Sequence, residues 1–417
     1  MEDRMTIKQK AAIHLARKIL PFWERLKDET NGGFYGYVDK ELNIDRKADK
    51  GCILHARILW TFSSAARILE QDESLLALAN TAPDGTANSD ALKTETLRSY
   101  ADWAYQAMEM FEDREHGGVY WSVTWDGKPA DTVKHTYCQA FAIYGLAAYY
   151  RLTGKKEALE KARRLYRVIE DHCTVWNGYG EAYQSDFSPE SNEKLSENGV
   201  MATRTMNTLL HVLEAYTELY RAKADDEIRD RAVQALERFL GTMYNPEKHR
   251  LEVFYDDNYH SLLDMQSYGH DIEAGWLLWD STEVFLPEER RAPYRAMCTD
   301  LLESVYSRAF TDHGLRNECV NGVNDELRVW WVQAETMLGL AMAWHLTGEQ
   351  DSKWLDALKT QWYTIERMIV DKRADGEWYW SVYEDGSLTE RPMVEEWKCP
   401  YHNGRMCMRL MQDHLPV

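Results

Sequence analysis

Three stretches of the chain carry side chains able to move a proton. Tyr268-Gly-His-Asp-Ile-Glu-Ala-Gly-Trp276 opens an apolar helical run and sets His270 and Glu273 three residues apart. That spacing puts both on one helix face, in a first turn whose backbone N–H groups also lack partners. Asn207-Thr-Leu-Leu-His211 and Tyr401-His-Asn-Gly-Arg405 supply His211 and His402. An imidazole titrates near pH 6.5, so it suits proton removal and return near neutral pH. The expectation is that the three histidines face one cavity. Three histidines would also suit zinc, but no His-Glu-x-x-His or compact ligand cluster accompanies them, so no metal is expected.

Other residues point the same way. Arg57 lies among Ile53, Leu54, Ile58 and Trp60. A buried guanidinium must be paired or hydrogen-bonded, so it is either half of an ion pair or a fixed cation aimed at charge that forms during a reaction. Arg204, Asn207, His211, Glu214 and Glu218 fall at helical steps and form a polar stripe between apolar flanks. The chain also holds 16 Trp and 24 Tyr. Flat faces with a polar edge suit the C–H faces and hydroxyl rims of sugars. The catalytic elbows and phosphate loops Gly-x-Ser-x-Gly, Gly-x-Gly-x-x-Gly and Gly-x-x-x-x-Gly-Lys are absent from the sequence. With 69 Asp and Glu, a pair of glycosidase carboxylates stays open.

An aromatic turn recurs along the chain. It begins with Asn31-Gly-Gly-Phe-Tyr-Gly-Tyr-Val38 and returns near residues 116, 177, 249, 313 and 375. An interval of roughly 60–70 residues holds two ordinary helices with their connections. Six helical hairpins can close into an (α/α)6 toroid, an all-α barrel of about twelve helices with the aromatic loops around one mouth. An open solenoid of the same hairpins is the alternative. No Pro-, Ser- or Gly-rich linker divides the chain, so residues 1–417 read as one catalytic domain. Residues 71–96 are richer in Asp, Ser, Thr and Asn, with a Pro83-Asp-Gly85 turn, and read as a surface excursion.

Composition narrows the partners. A net charge of −20 argues against nucleic acid or an anionic membrane. Seven cysteines with no Cys-x-x-Cys fit a reducing compartment. The first residues lack a signal-peptide core, and no apolar run approaches the roughly 20 residues that span a bilayer. A cytoplasmic protein, monomeric or weakly dimeric, is expected.

Asn207-Thr-Leu-Leu-His-Val-Leu-Glu-Ala-Tyr216, Gly269-His-Asp-Ile-Glu-Ala-Gly-Trp276 and Trp397-Lys-Cys-Pro-Tyr-His-Asn-Gly-Arg405 resemble signature stretches of the N-acylglucosamine 2-epimerase superfamily, most closely its cellobiose 2-epimerase branch. Residues 50–62 and Lys134-His-Thr-Tyr-Cys-Gln-Ala-Phe141 resemble that branch too. The resemblance implies an (α/α)6 barrel and a cofactor-free, reversible epimerisation at C2 of the reducing-end glucose of β-1,4 disaccharides. Cellobiose would become glucosyl-mannose, and lactose epilactose, through ring opening and an enediolate. By resemblance, His270 and His402 exchange the C2 proton, one of them also assisting ring opening. His211 bonds the O1/O2 edge or helps ring opening, Arg57 stabilises the enediolate oxygen, and Glu273 orients an imidazole or binds a hydroxyl. Tyr137, Asn207, Trp331 and Trp397 line the reducing-end pocket, and Trp380 stacks on the other sugar. An aldose–ketose isomerase of the mannose isomerase type, an N-acylglucosamine 2-epimerase and an (α/α)6 glycoside hydrolase are the alternatives.

Overall fold

Helices that are buried on almost every side need neighbours on every side. Six helices of this chain have that character: Cys52–Gln71, Thr136–Thr153, Met206–Ala222, Tyr268–Phe285, Trp330–Leu346 and Tyr401–Gln412. The computed structural model describes residues 5–81, 91–196 and 198–417. In it each of the six packs on the next, and the Tyr401 helix packs back on the Cys52 helix. The ring is therefore closed, which rules out the open solenoid.

A second layer surrounds it. Thr94–Ala107, Lys156–Val168, Asp226–Arg238, Ala292–Ala309 and Lys353–Thr364 each lie against the inner helix that precedes them. These helices bury one stripe; in Lys156–Val168 only Ala158, Ala162, Leu165 and Tyr166 are buried. The sixth outer element comes from the other end of the chain. Ile7–His14 runs through Leu15–Ile19 into Leu20–Glu24 and packs on the C-terminal Tyr401 helix, so the two termini complete one hairpin.

The aromatic turns gather at the mouth where the inner helices begin. Lys50–Gly51 pairs antiparallel with Ser122–Val123, Lys134–His135 with Ala182–Tyr183, and Arg204–Thr205 with Phe254–Tyr255. Met265–Ser267 pairs with Glu318–Val320, Arg328–Val329 with Ser381–Val382, and a bridge from Val38 to Val394 closes the cycle. The fourth residue of an inner helix repeatedly clamps a turn. His55 accepts the Phe34 N–H at 3.0 Å, and Asp271 accepts the Leu251 N–H at 3.0 Å. Gln139 bonds both the N–H and the C=O of Val119 at 2.8 Å. Gln333 does the same to Leu315, at 3.0 and 2.8 Å. The clamp explains the recurrent glycine. A Cβ at Gly33 would stand 2.7 Å from His55 Nε2, and one at Gly314 would stand 2.4 Å from Gln333 Oε1. Both glycines also hold positive φ, +67° and +84°, which L side chains rarely adopt.

Several sequence expectations need adjustment. Arg204 belongs to the strand before the Met206 helix, so it is not part of the helical stripe. His402, Asn403 and Gly404 sit inside the Tyr401 helix, with Pro400 as its cap. Gly404 serves packing there, because a Cβ would lie 3.2 Å from Thr61 Cγ2. Of the polar excursion, Glu73–Ala79 is a helix capped by Asp72, while residues 82–90, including Pro83-Asp-Gly85, lie outside the described residues. Among the described residues no helix is long and apolar enough to cross a membrane.

Candidate active site

The mouth of the ring holds a cavity of about 620 Å3. His211, His270 and His402 all line it, from three different inner helices. So do Arg57, Tyr137, Asn207, Glu273, Trp331, Trp380 and Trp397, which brings every residue that the resemblance assigned to the site to one place. Trp331 joins two of the imidazoles. Its ring lies 4.8 Å from that of His270 and 5.5 Å from that of His402. The Tyr137 ring stands edge-on to His211 at 5.0 Å.

Each imidazole has a different Nδ1 partner. His402 Nδ1 is 2.6 Å from Glu335 Oε1, and His211 Nδ1 is 2.8 Å from Glu214 Oε2. A carboxylate at Nδ1 fixes the proton there and leaves Nε2 as a free base. His270 Nδ1 meets the Ser267 hydroxyl at 2.7 Å, a partner that can donate or accept. Burial holds all three imidazoles neutral. It lowers His270 to about 3, with help from His211, and pushes His402 and His211 down as well.

Beneath the cavity Arg405 gathers three buried carboxylates. Its Nη2 donates to Glu273 Oε1 at 2.6 Å and to Glu335 Oε1 at 2.8 Å, while Nη1 donates to Glu214 and to the Tyr401 hydroxyl. Burial pushes Glu214 up, but Arg405 and His211 outweigh it and hold that carboxyl at about 2. Burial raises both Glu273 and Glu335; repulsion from Glu335 adds to it at Glu273, which reaches about 8, and repulsion from Glu214 adds to it at Glu335. Hydrogen bonding separates the pair. Glu335 accepts from His402, Arg405 and, at 2.9 Å, Trp276 Nε1, so it is the ionised partner. Glu273 Oε2 has no partner, so Glu273 is the one that carries the proton near neutral pH.

Glu335, Glu214, Arg405 and Ser267 were not assigned roles by sequence reasoning. Glu273 was expected to orient an imidazole or bind a hydroxyl; it stands 3.9 Å from His402 Nδ1, whose hydrogen-bond partner at 2.6 Å is Glu335. The sequence did hold a signal, for Glu335 is the single charge in the run 330–344. Glu273, Glu335 and His402 each offer a ligand atom within 4.8 Å of the others, but Arg405 already supplies the positive charge to both carboxylates. His211 and His270 are not part of that group.

Arg57 is held by uncharged groups. It donates to the Tyr137 hydroxyl at 2.7 Å and to the Trp397 carbonyl at 3.3 Å, and its guanidinium lies 4.1 Å from the centre of the Phe141 ring. No carboxylate pairs with it among the described residues. Arg57 Nε, Asn207 Oδ1 and Glu273 Oε2 are buried polar atoms without a protein partner, all on cavity-lining residues. Trp380 donates from Nε1 to Glu395 at 3.1 Å and stacks under Arg391, which fixes its ring at the rim.

A closed ring of helical hairpins with neutral imidazoles, an unpaired guanidinium and aromatic walls around one cavity defines an α-toroid built for acid–base chemistry on a small polar substrate. The sequence profile of the N-acylglucosamine 2-epimerase (GlcNAc 2-epimerase) family matches residues 86–403, and the chain belongs to that family. It is 43% identical to a cellobiose 2-epimerase of Eubacterium cellulosolvens, with 100% of each chain covered. The crystal structure of a sugar epimerase from a ruminal bacterium superposes with a TM-score of 0.91 at 40% identity, covering 99% of this chain and 100% of that one. A D-mannose isomerase shares the fold alone, with a TM-score of 0.77 at 18% identity and 97% of each chain covered.

Proposed function

We propose that the protein is a cellobiose 2-epimerase, acting as one catalytic domain on the reducing-end glucose of β-1,4 disaccharides such as cellobiose and lactose. The observation that carries this reading is the convergence of three neutral imidazoles on one cavity beside a guanidinium that no carboxylate neutralises. The similarity to cellobiose 2-epimerases along the whole chain supports the choice of substrate.

The residues fit the chemistry. A C2 proton becomes acidic once the pyranose ring opens, because the C1 carbonyl then accepts the charge as an enediolate. Inversion needs removal on one face and return on the other, hence two acid–base groups. His402 presents Nε2 as a base, and the Glu335 carboxylate stabilises the imidazolium that forms. His270 lines the same cavity, its ring 4.8 Å from that of Trp331; it takes up a proton from solvent beside the enediolate and delivers it to C2, while His402 releases the abstracted proton to solvent, and in the reverse direction the two exchange roles. Both imidazoles are held neutral without substrate, and the enediolate's own charge favours the protonated form beside it. Arg57 balances the enediolate oxygen, at full strength because its other partners are uncharged. His211 serves the O1/O2 edge. Glu273, protonated, donates to a sugar hydroxyl, and Asn207 Oδ1 accepts from another.

Parallel incubation with cellobiose, mannose and N-acetylmannosamine tests the reading. Glucosyl-mannose formed from cellobiose, faster than either monosaccharide is converted, is expected. Fructose from mannose, with cellobiose untouched, would make the protein an aldose–ketose isomerase instead. Free glucose from cellobiose would make it a hydrolase.

A further inference from the structure

The inner ring has a second end, behind the Arg405 network. There five of the six inner helices, all but Trp330–Leu346, line a separate cavity of about 250 Å3. Arg67, Arg151, Arg221, Arg405 and Arg409 line it, against the carboxylates of Glu214, Glu218 and Asp280. Arg405 and Glu214 belong to the network under the sugar cavity, which leaves four guanidiniums facing two carboxylates, Glu218 and Asp280, in a chain whose net charge is −20.

The carboxylates are already engaged. Glu214 belongs to Arg405, His211 and Tyr401. Glu218 accepts from Arg151 at 2.7 Å. Asp280 is gripped by both arms of Arg221 at 2.9 Å and both arms of Arg409 at 3.2 Å. Arg67 is left over. Its one polar partner is the Gln71 amide oxygen at 3.2 Å, and no carboxylate pairs with it among the described residues. Burial and the neighbouring Arg151, Arg221 and Arg409 depress its pKa, Glu218 alone working the other way among the larger influences. Two further N–H donors on lining residues, Trp60 Nε1 and Arg405 Nε, are buried with no protein partner. Trp60 is 7% exposed and Arg405 1% exposed. The cavity thus has donors and positive charge in surplus, so the complementary ligand is an acceptor carrying negative charge.

We propose that this rear cavity is a binding site for a small oxyanion of phosphate size, held by Arg67 together with Arg409 and Arg221. It lies apart from the histidine cavity and does not depend on which sugar reacts there. Arg405 lines this cavity, and its two amino groups hold the carboxylates of Glu214, Glu273 and Glu335. An anion seated here would therefore reinforce the floor of the sugar site.

Calorimetric titration of the full chain with sodium phosphate, in phosphate-free buffer at constant ionic strength, tests the proposal. One saturable phosphate per chain is expected. Arg67→Gln and, separately, Arg409→Gln are each expected to weaken it at least tenfold, the loss of one charge-assisted contact. Arg67 is half-buried and serves no other carboxylate, so Arg67→Gln is expected to melt at the wild-type temperature without phosphate. No saturable binding to the wild type, equal binding by both variants, or the same heat from sodium chloride would each overturn the proposal.

Discussion

Replacing Glu335 by Gln exchanges one carboxylate oxygen for an NH2 group and leaves the shape of the site intact. Glu335 accepts three hydrogen bonds and lines no part of the sugar cavity, so it acts on substrate only through His402. A Gln amide keeps an oxygen for His402 Nδ1 and Arg405, but must turn its NH2 towards the Trp276 indole N–H. One donor then loses its partner, at a cost of about 1–3 kcal/mol in stability. The larger effect falls on the imidazolium. Opposite charges about 4 Å apart interact by about 4 kcal/mol at an effective dielectric constant near 20. A neutral acceptor retains part of that, because an uncharged hydrogen bond is roughly half as strong. The loss of imidazolium stabilisation is therefore about 2–4 kcal/mol, or roughly 30- to 1000-fold in kcat. KM is expected to stay within a few-fold. Initial rates of cellobiose epimerisation in both directions measure this, with a melting curve to show that the variant is folded. A folded Glu335→Gln enzyme with kcat within threefold of wild type would refute the role given to Glu335.

His270→Ala and His402→Ala are each expected to abolish C2 epimerisation while leaving the circular dichroism spectrum unchanged; near-normal turnover by either would remove it from the proton exchange. Arg405→Met leaves Glu214, Glu273 and Glu335 without their shared cation, which is expected to cost about 3–5 kcal/mol in urea denaturation. A loss below about 1 kcal/mol would contradict the network. His55→Gln probes pH dependence, and the clamps made by Gln139 and Gln333 show that Gln fits the position. Burial lowers His55 to about 4, so the folded chain keeps it neutral while the unfolded chain takes up a proton below pH 6.5. Its contribution is present in full above pH 6.5 and is lost as pH falls towards 4. The substitution is expected to shrink the stability difference between pH 7 and pH 4 by about 2–3 kcal/mol. An unchanged difference would show that His55 is protonated in the fold.

The ring was legible because its repeated unit is chemically constrained. A turn that must admit a clamping side chain needs glycine, and Gly33, Gly118 and Gly314 recur for that reason. His270, Glu273 and His402 were legible because they begin helices, where imidazole and carboxylate types stand out against the apolar runs around them. The charge network beneath them was not. Arg405, Glu214, Glu273 and Glu335 come from four inner helices, and only closure of the ring makes them neighbours. The polar stripe on the Met206 helix was read from its spacing as one face. The structure divides it, with Asn207 and His211 at the mouth and Glu218 at the rear, because Glu214 and Arg405 lie between the two ends.

The proton exchange itself can be followed by running the reaction in heavy water. Cellobiose is converted in D2O and the glucosyl-mannose formed at early times is examined by NMR for deuterium at C2. With removal by one imidazole and return by another, the product carries deuterium at C2. Product that forms at a normal rate and keeps protium at C2 would mean that the hydrogen never left the sugar, and would contradict an enediolate shared by His270 and His402.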